Sequence, residues 1–330
     1  MSAHSLNLCG VLSETKRIIS AHSRHFLALS VFFLLPLSFS LVVYPLLWRS
    51  PPTLSHHHRS LFSYTSSDPD IPSLDEAHLL LPSVYALFVL LFSLCGTASI
   101  TYSTFHGFYG RPVKLIASIK SVLFSILPLI VTLVLVQIIV GLVAAAFGGF
   151  TALVYNGFVL LGFEIDYRNA YFAGLLVVIV ALLLGVLIFL KVEWYLSSVV
   201  VVVESRWGLS PLKRSSYLVK GMRKVVVLMI LLFGALIGFL AMLCASLVPN
   251  VDGNGIREGW ISWAFIFQTV LCTAALTIVM LYNVAANAVL FMYCKALRGE
   301  LAFEIAEEFA REYVSLPFDD GKAPHVVYVV

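Results

Sequence analysis

Six stretches of this chain run for about twenty residues or more with almost no charge, and no other feature limits its fold as strongly. They cover about 26–47, 79–102, 121–147, 171–190, 225–248 and 260–293. A hydrocarbon core about 30 Å thick is crossed by about 20 helical residues. In lipid each backbone N–H and C=O needs a partner within the protein, which favours helices for runs of this length. The expected fold is all-α: a polytopic membrane bundle of six transmembrane helices. Composition agrees. The chain is 60% hydrophobic and 12% charged, where a soluble domain has about 45–50% and about 25%. A net charge of +3 is too small to point to nucleic acid.

The flanks divide the chain into a cytosolic amphipathic arm (1–25), a membrane domain (26–294) and a cytosolic tail (295–330). In the arm, Leu8, Leu12, Thr15, Ile19 and His22 recur at helical spacing, with Glu14, Lys16, Arg17 and Arg24 mostly elsewhere. Such a helix can lie in the headgroup plane. No apolar run precedes Lys16 and Arg17, so the first span is expected to stay in the mature protein. Pro36 and Pro128 predict kinks in the first and third spans. Gly148 and Gly149 are expected to end the third. Polar loops are expected at 49–78, around Glu164, Asp166 and Arg168, and at 249–259. The run His56–His58 reads as part of such a loop rather than as a metal site. Five Cys (Cys9, Cys95, Cys244, Cys272, Cys294) show no CxxC spacing, so no zinc site or disulfide framework is expected.

Of the 21 Lys and Arg, 17 fall on the side of the two termini; the other side holds Arg49, Arg59, Arg168 and Arg257. That asymmetry predicts cytosolic termini. The sequence does not choose between the endoplasmic reticulum and the plasma membrane. Basic segments beginning at Lys16, Lys114 and Lys213 stand 98 and 99 residues apart, each ahead of an odd-numbered span. The expected architecture is three hairpins, each preceded by a basic amphipathic interfacial helix.

Amide side chains at membrane depth are costly and therefore informative. Gln137, Asn283 and Asn287 are the intramembrane polar candidates. Asn283 and Asn287, four apart, share a helix face. They either line a path or fix helix packing. Gly234 and Gly238 form a GxxxG spacing that admits a partner helix. The chain lacks HExxH, GxSxG and Walker A motifs and has no carboxylate pair facing a common cleft. No catalytic residue, cofactor or metal ligand is expected.

The densest polar segment is Lys191–Lys224. A helix from Tyr171 to Glu204 would be about 50 Å long, so Lys191 and Glu193 belong near the cytosolic interface. Val199–Val203 must then be covered by the surface helices, because five exposed Val would invite aggregation. Ser210 is the expected N-cap ahead of Pro211 at N1. Lys213, Arg214, Lys220, Arg223 and Lys224 are the expected membrane-interface cations, facing anionic headgroups.

Trp194, the run LSSVVVVVE (196–204), Gly208, LKRS (212–215) and Lys220–Gly221 resemble a bacterial integral-membrane domain found ahead of glycerophosphodiester phosphodiesterase domains. The layout is also similar to plant families of uncharacterised multi-pass transmembrane proteins. The phosphodiesterase domain has no counterpart here, and the resemblance carries over no catalytic residue. The expected function is non-enzymatic: scaffolding, membrane organisation or trafficking. The alternative is a carrier or channel for a small or amphiphilic molecule.

Overall fold

A computed structural model describes residues 7–49, 74–110, 115–160, 170–246, 263–303 and 306. Every regular element among them is helical. In order they are α1 (Leu8–Ala21), α2 (Ser23–Leu29), a π-turn (Ser30–Leu34), α3 (Leu35–Arg49), α4 (Leu74–Phe108), α5 (Leu115–Leu160), α6 (Ala170–Glu193), α7 (Ser197–Glu204), α8 (Ser210–Val219), α9 (Arg223–Ser246) and α10 (Trp263–Leu297). Six helices are long and apolar enough to cross a membrane, and the chain is a multi-pass membrane protein by that measure. Outside the described residues lie His56–His58, the Glu164–Arg168 and 249–259 loops, and the C-terminal residues from 307.

The first and last spans form the axis. Their most apolar windows are 44% and 56% buried, against 11% for the second, third and fourth. Thr277 of α10 donates a hydrogen bond to the Ser38 hydroxyl of α3 at 3.0 Å, and Ser38 donates in turn to the Leu34 carbonyl. Pro36 acts on the first span through the turn before it. Proline has no N–H to offer the Phe32 carbonyl. The helix widens there, and Leu35 N–H reaches back five residues to the Ser30 carbonyl.

The core sits at one end of the bundle, where α1, α7, α8 and the last turns of α4 and α10 meet. Val11, Ile18, Phe26, Ile100, Leu196, Val199, Val200, Leu218, Val219, Ala285, Ala286 and Val289–Cys294 belong to one buried cluster. We call this end the cap. The valine run forms α7, and Val199–Val202 are all buried. Val199 and Val200 face the α1–α8–α10 cluster, while Val201 and Val202 pack with Leu94 and Ala98 of α4 and Val122 and Leu129 of α5.

Several expectations need correction. α1 rests on much of its predicted stripe, with Thr15 and Ile19 buried and Leu8 and Leu12 packed against the core, and the buried face is widened by Val11 and Ile18. Val11, Thr15, Ile18 and Ile19 are the buried residues, and the helix packs on α4 and α10. Its approach is close at Gly107, where a Cβ would stand 3.1 Å from Ile18 Cγ2. Gly148 and Gly149 do not end the third span, because α5 runs through both to Leu160. Residues 115–120 are the opening turns of that helix and not a separate interfacial helix. The first and third basic segments do form short helices, α1 and α8, each followed by a break before its span. Leu209, not Ser210, is the N-cap of α8.

Candidate functional site

The segment Lys191–Lys224 folds as an elbow, a short helix, a reversal and a second helix. α6 ends at Glu193, and residues Trp194–Leu196 turn the chain into α7. The elbow is stitched by α8. The Ser215 hydroxyl donates to the Glu193 carbonyl at 2.8 Å and accepts from Leu196 N–H at 3.2 Å. The buried Glu193 carboxylate accepts from the Ser216 hydroxyl. It also forms an ion pair with Arg223, whose approach to Oε1 is not aligned as a hydrogen bond. Beyond α7, Ser205 (φ 50°) and Gly208 (φ 75°) reverse the chain into α8. The left-handed conformation is cheap for glycine and costs a β-carbon-bearing residue more.

Arg214 is the hub of the cap. Its Nε and Nη2 each donate to Glu204 Oε1 at 3.1 Å, and its Nη1 donates to Glu300 Oε1 at 3.0 Å. Arg206 and Lys295 also approach Glu204, at 3.2 Å and 4.0 Å. One guanidinium thus ties α7, α8 and the segment after α10, using the planar fork that a lysine lacks. This corrects the expectation that Arg214 faces headgroups: it points inward. Arg223 is half-exposed but engaged by Glu193. Lys213, Lys220 and Lys224 remain exposed on the outer surface.

The hydrogen bond from Arg214, aided by the neighbouring cations, holds the Glu300 carboxyl below its ordinary value of 4.5. Arg214 is held more firmly protonated, first by Glu300. A depressed carboxylate stabilises the folded form above its unfolded value, and that contribution is lost as pH falls through the lower folded value. The tie is therefore expected to hold at neutral pH and to loosen below about pH 4.5. Amide exchange across α8, corrected for intrinsic rate, checks this; protection unchanged down to pH 3 would contradict it.

The three intramembrane polar candidates fare differently. Gln137, exposed on α5, lines a cleft of about 380 Å³ between α5, the end of α6 and the elbow. Asn287 of α10 acts electrostatically on the Tyr195 phenol that lines the cleft. Asn287 Oδ1 has no hydrogen-bond partner among the described residues. Asn283 is not among the lining residues of this cleft. Asn287 is not among them either, and the two stand one helical turn apart on α10. A second cleft of about 400 Å³ opens between α4, α5 and α7, with His106, Lys120 and Ser205 among its walls. Gly234 and Gly238 are open on α9, with nothing within 4 Å of an added Cβ.

One polar cluster has no counterpart in the motifs considered. His25 Nε2 lies 3.0 Å from the Ser103 hydroxyl and 3.4 Å from Ser118, which are 3.0 Å from each other. A hydroxyl beside an imidazole is the pairing used by nucleophilic enzymes. Here Ser103 and Ser118 are 2% and 0% exposed, and neither lines the two clefts just described. The cluster fastens α2, α4 and α5. Only the fold could reveal it, since its members stand 78 and 15 residues apart.

No group of three or more His, Cys, Asp or Glu with metal-ligand geometry occurs among the described residues. No curated protein and no solved structure matches the chain. A family model described as "Domain of unknown function (DUF8558)" matches residues 2–317. That match takes in the arm, all six spans and the cap as one unit, and the chain belongs to the DUF8558 family.

Proposed function

We propose that the protein is a non-enzymatic membrane organiser that gathers anionic lipid around its cap. In this reading both termini and the cap face the cytosol, and the spans form three hairpins with α1 and α8 at the headgroup level. The observation that carries it is the corner between α8 and α9. Lys213, Lys220 and Lys224 are exposed there, on a backbone held rigid by the Arg214 and Glu193 contacts. The positive-inside asymmetry supports the orientation. Three fixed cations at the surface of an anionic leaflet gain about 1 kcal/mol each. The open Gly234 and Gly238 supply a face for a second helix.

In nanodiscs of mixed phosphatidylserine and phosphatidylcholine, the full chain is expected to enrich phosphatidylserine around itself. The Lys213→Gln, Lys220→Gln, Lys224→Gln variant is expected to lose most of that enrichment, and salt is expected to weaken it. Equal enrichment by both proteins would remove the basis of the reading. Saturable solute uptake by proteoliposomes would replace it with a carrier.

A further inference from the structure

The cleft at the α6–α7 elbow has a graded lining. Lys191, Trp194, Tyr195, Ser197 and Ser198 gather at the elbow, while Leu187, Val136 and Val140 wall the remainder. Its volume falls within the range of about 300–1,000 Å³ common to small-molecule sites. Its α5 wall runs from Leu129 to Val140, about 16 Å at 1.5 Å per residue. That is about half of a 30 Å hydrocarbon core, the depth of one leaflet.

Charge decides what the polar end would take. Lys191 is exposed, and no carboxylate among the described residues lies within ion-pair distance of it. Its nearest acidic neighbour in sequence, Glu193, is turned to the opposite side and is neutralised by Arg223. The cleft therefore presents one uncompensated cation beside the hydroxyls of Tyr195, Ser197 and Ser198 and an interfacial indole. Beside it, Val134, Ile138, Ile188 and Phe189 are exposed, so the opening is flanked by apolar surface and not by polar loops. Gln137 is the one amide along the apolar wall, and no hydrogen-bond partner for it occurs among the described residues. An amide facing hydrocarbon needs an acceptor. Ester carbonyls just inside the headgroup level would supply one.

We propose that this cleft binds a single anionic phospholipid. Its phosphate sits at Lys191, Ser197 and Ser198, its ester carbonyls meet Gln137, and one acyl chain lies along Leu129–Val140. The proposal rests on the reading that the cap lies at a membrane surface, but it uses none of the α8–α9 lysines.

The test is native mass spectrometry of the full chain in detergent, titrated with phosphatidylserine or phosphatidylcholine. One phosphatidylserine per chain is expected to be retained. Lys191→Gln is expected to weaken its retention about five-fold, the effect of one well-placed cation, with phosphatidylcholine little changed. Val136→Trp, which fills the apolar wall, is expected to abolish retention of both. Gln137→Leu keeps the volume nearly constant and is expected to weaken both several-fold, which covers the case in which the tryptophan variant does not fold. Glycerophosphate, with the phosphate but no chains, is expected not to compete; competition at matched concentration would overturn the acyl-chain placement. The variant lacking Lys213, Lys220 and Lys224 is expected to retain the lipid. If it loses the lipid while Lys191→Gln and Gln137→Leu keep it, the cleft assignment fails and the surface reading stands.

Discussion

Val200→Asp is expected to prevent the cap from assembling, the most severe effect of any single change considered. Val200 is 0% exposed at the centre of α7. It belongs to the buried apolar cluster, and α7 packs on α4, α5, α8 and α10. A carboxylate there would be buried without a partner, which places the change among those costing about 4 kcal/mol or more. The expected result is loss of the monodisperse peak in detergent size-exclusion chromatography. Val203→Asp is the comparison, because Val203 is half-buried and lines the cleft near Lys120. That variant is expected to remain monodisperse. Equal behaviour of the two would mean that α7 is not the inward-facing element described.

Arg214→Ala is the second. It leaves two carboxylates, Glu204 and Glu300, without their common partner, and the Glu204 side chain is only 11% exposed. Breaking a buried ion pair from one side costs about 3–5 kcal/mol. The partial exposure of Glu300 and the contacts Glu204 keeps with Arg206 and Lys295 reduce this to about 2–3 kcal/mol. The expected readout is a lower melting temperature, with the loss of amide protection concentrated in α8. Arg214→Lys is expected to recover less than half, since an ammonium cannot serve both carboxylates as the fork does. Full recovery by lysine would show that charge alone suffices.

The six spans were legible because lipid imposes a long, uninterrupted signal that needs no tertiary context. Their ends were less so. Gly148 and Gly149 read as a stop because glycine destabilises helices in water. Within lipid an unpaired backbone group has no solvent to turn to, so glycine is tolerated and α5 continues. The valine run was legible as a segment needing cover, but its helicity was not. Five β-branched residues in a row favour strand by propensity, and only packing from α4, α5, α8 and α10 overrides that preference. Arg214 looked like its lysine neighbours because its partners are 10 and 86 residues away. The elbow cleft was half visible: Gln137 stood out as an amide in an apolar run, whereas its nearness to Lys191 and Trp194 belongs to the packing of α5 on α6 and the elbow.

The continuity of α5 has a mechanical consequence. At 46 residues it is about 69 Å long. Even tilted by about 40°, a helix uses only about 26 residues to cross a 30 Å core. About twenty residues must therefore lie beyond the hydrocarbon, shared between the two ends of the helix. This third span carries its continuous helix past the hydrocarbon, and the protein reaches beyond the bilayer there without a loop to do so.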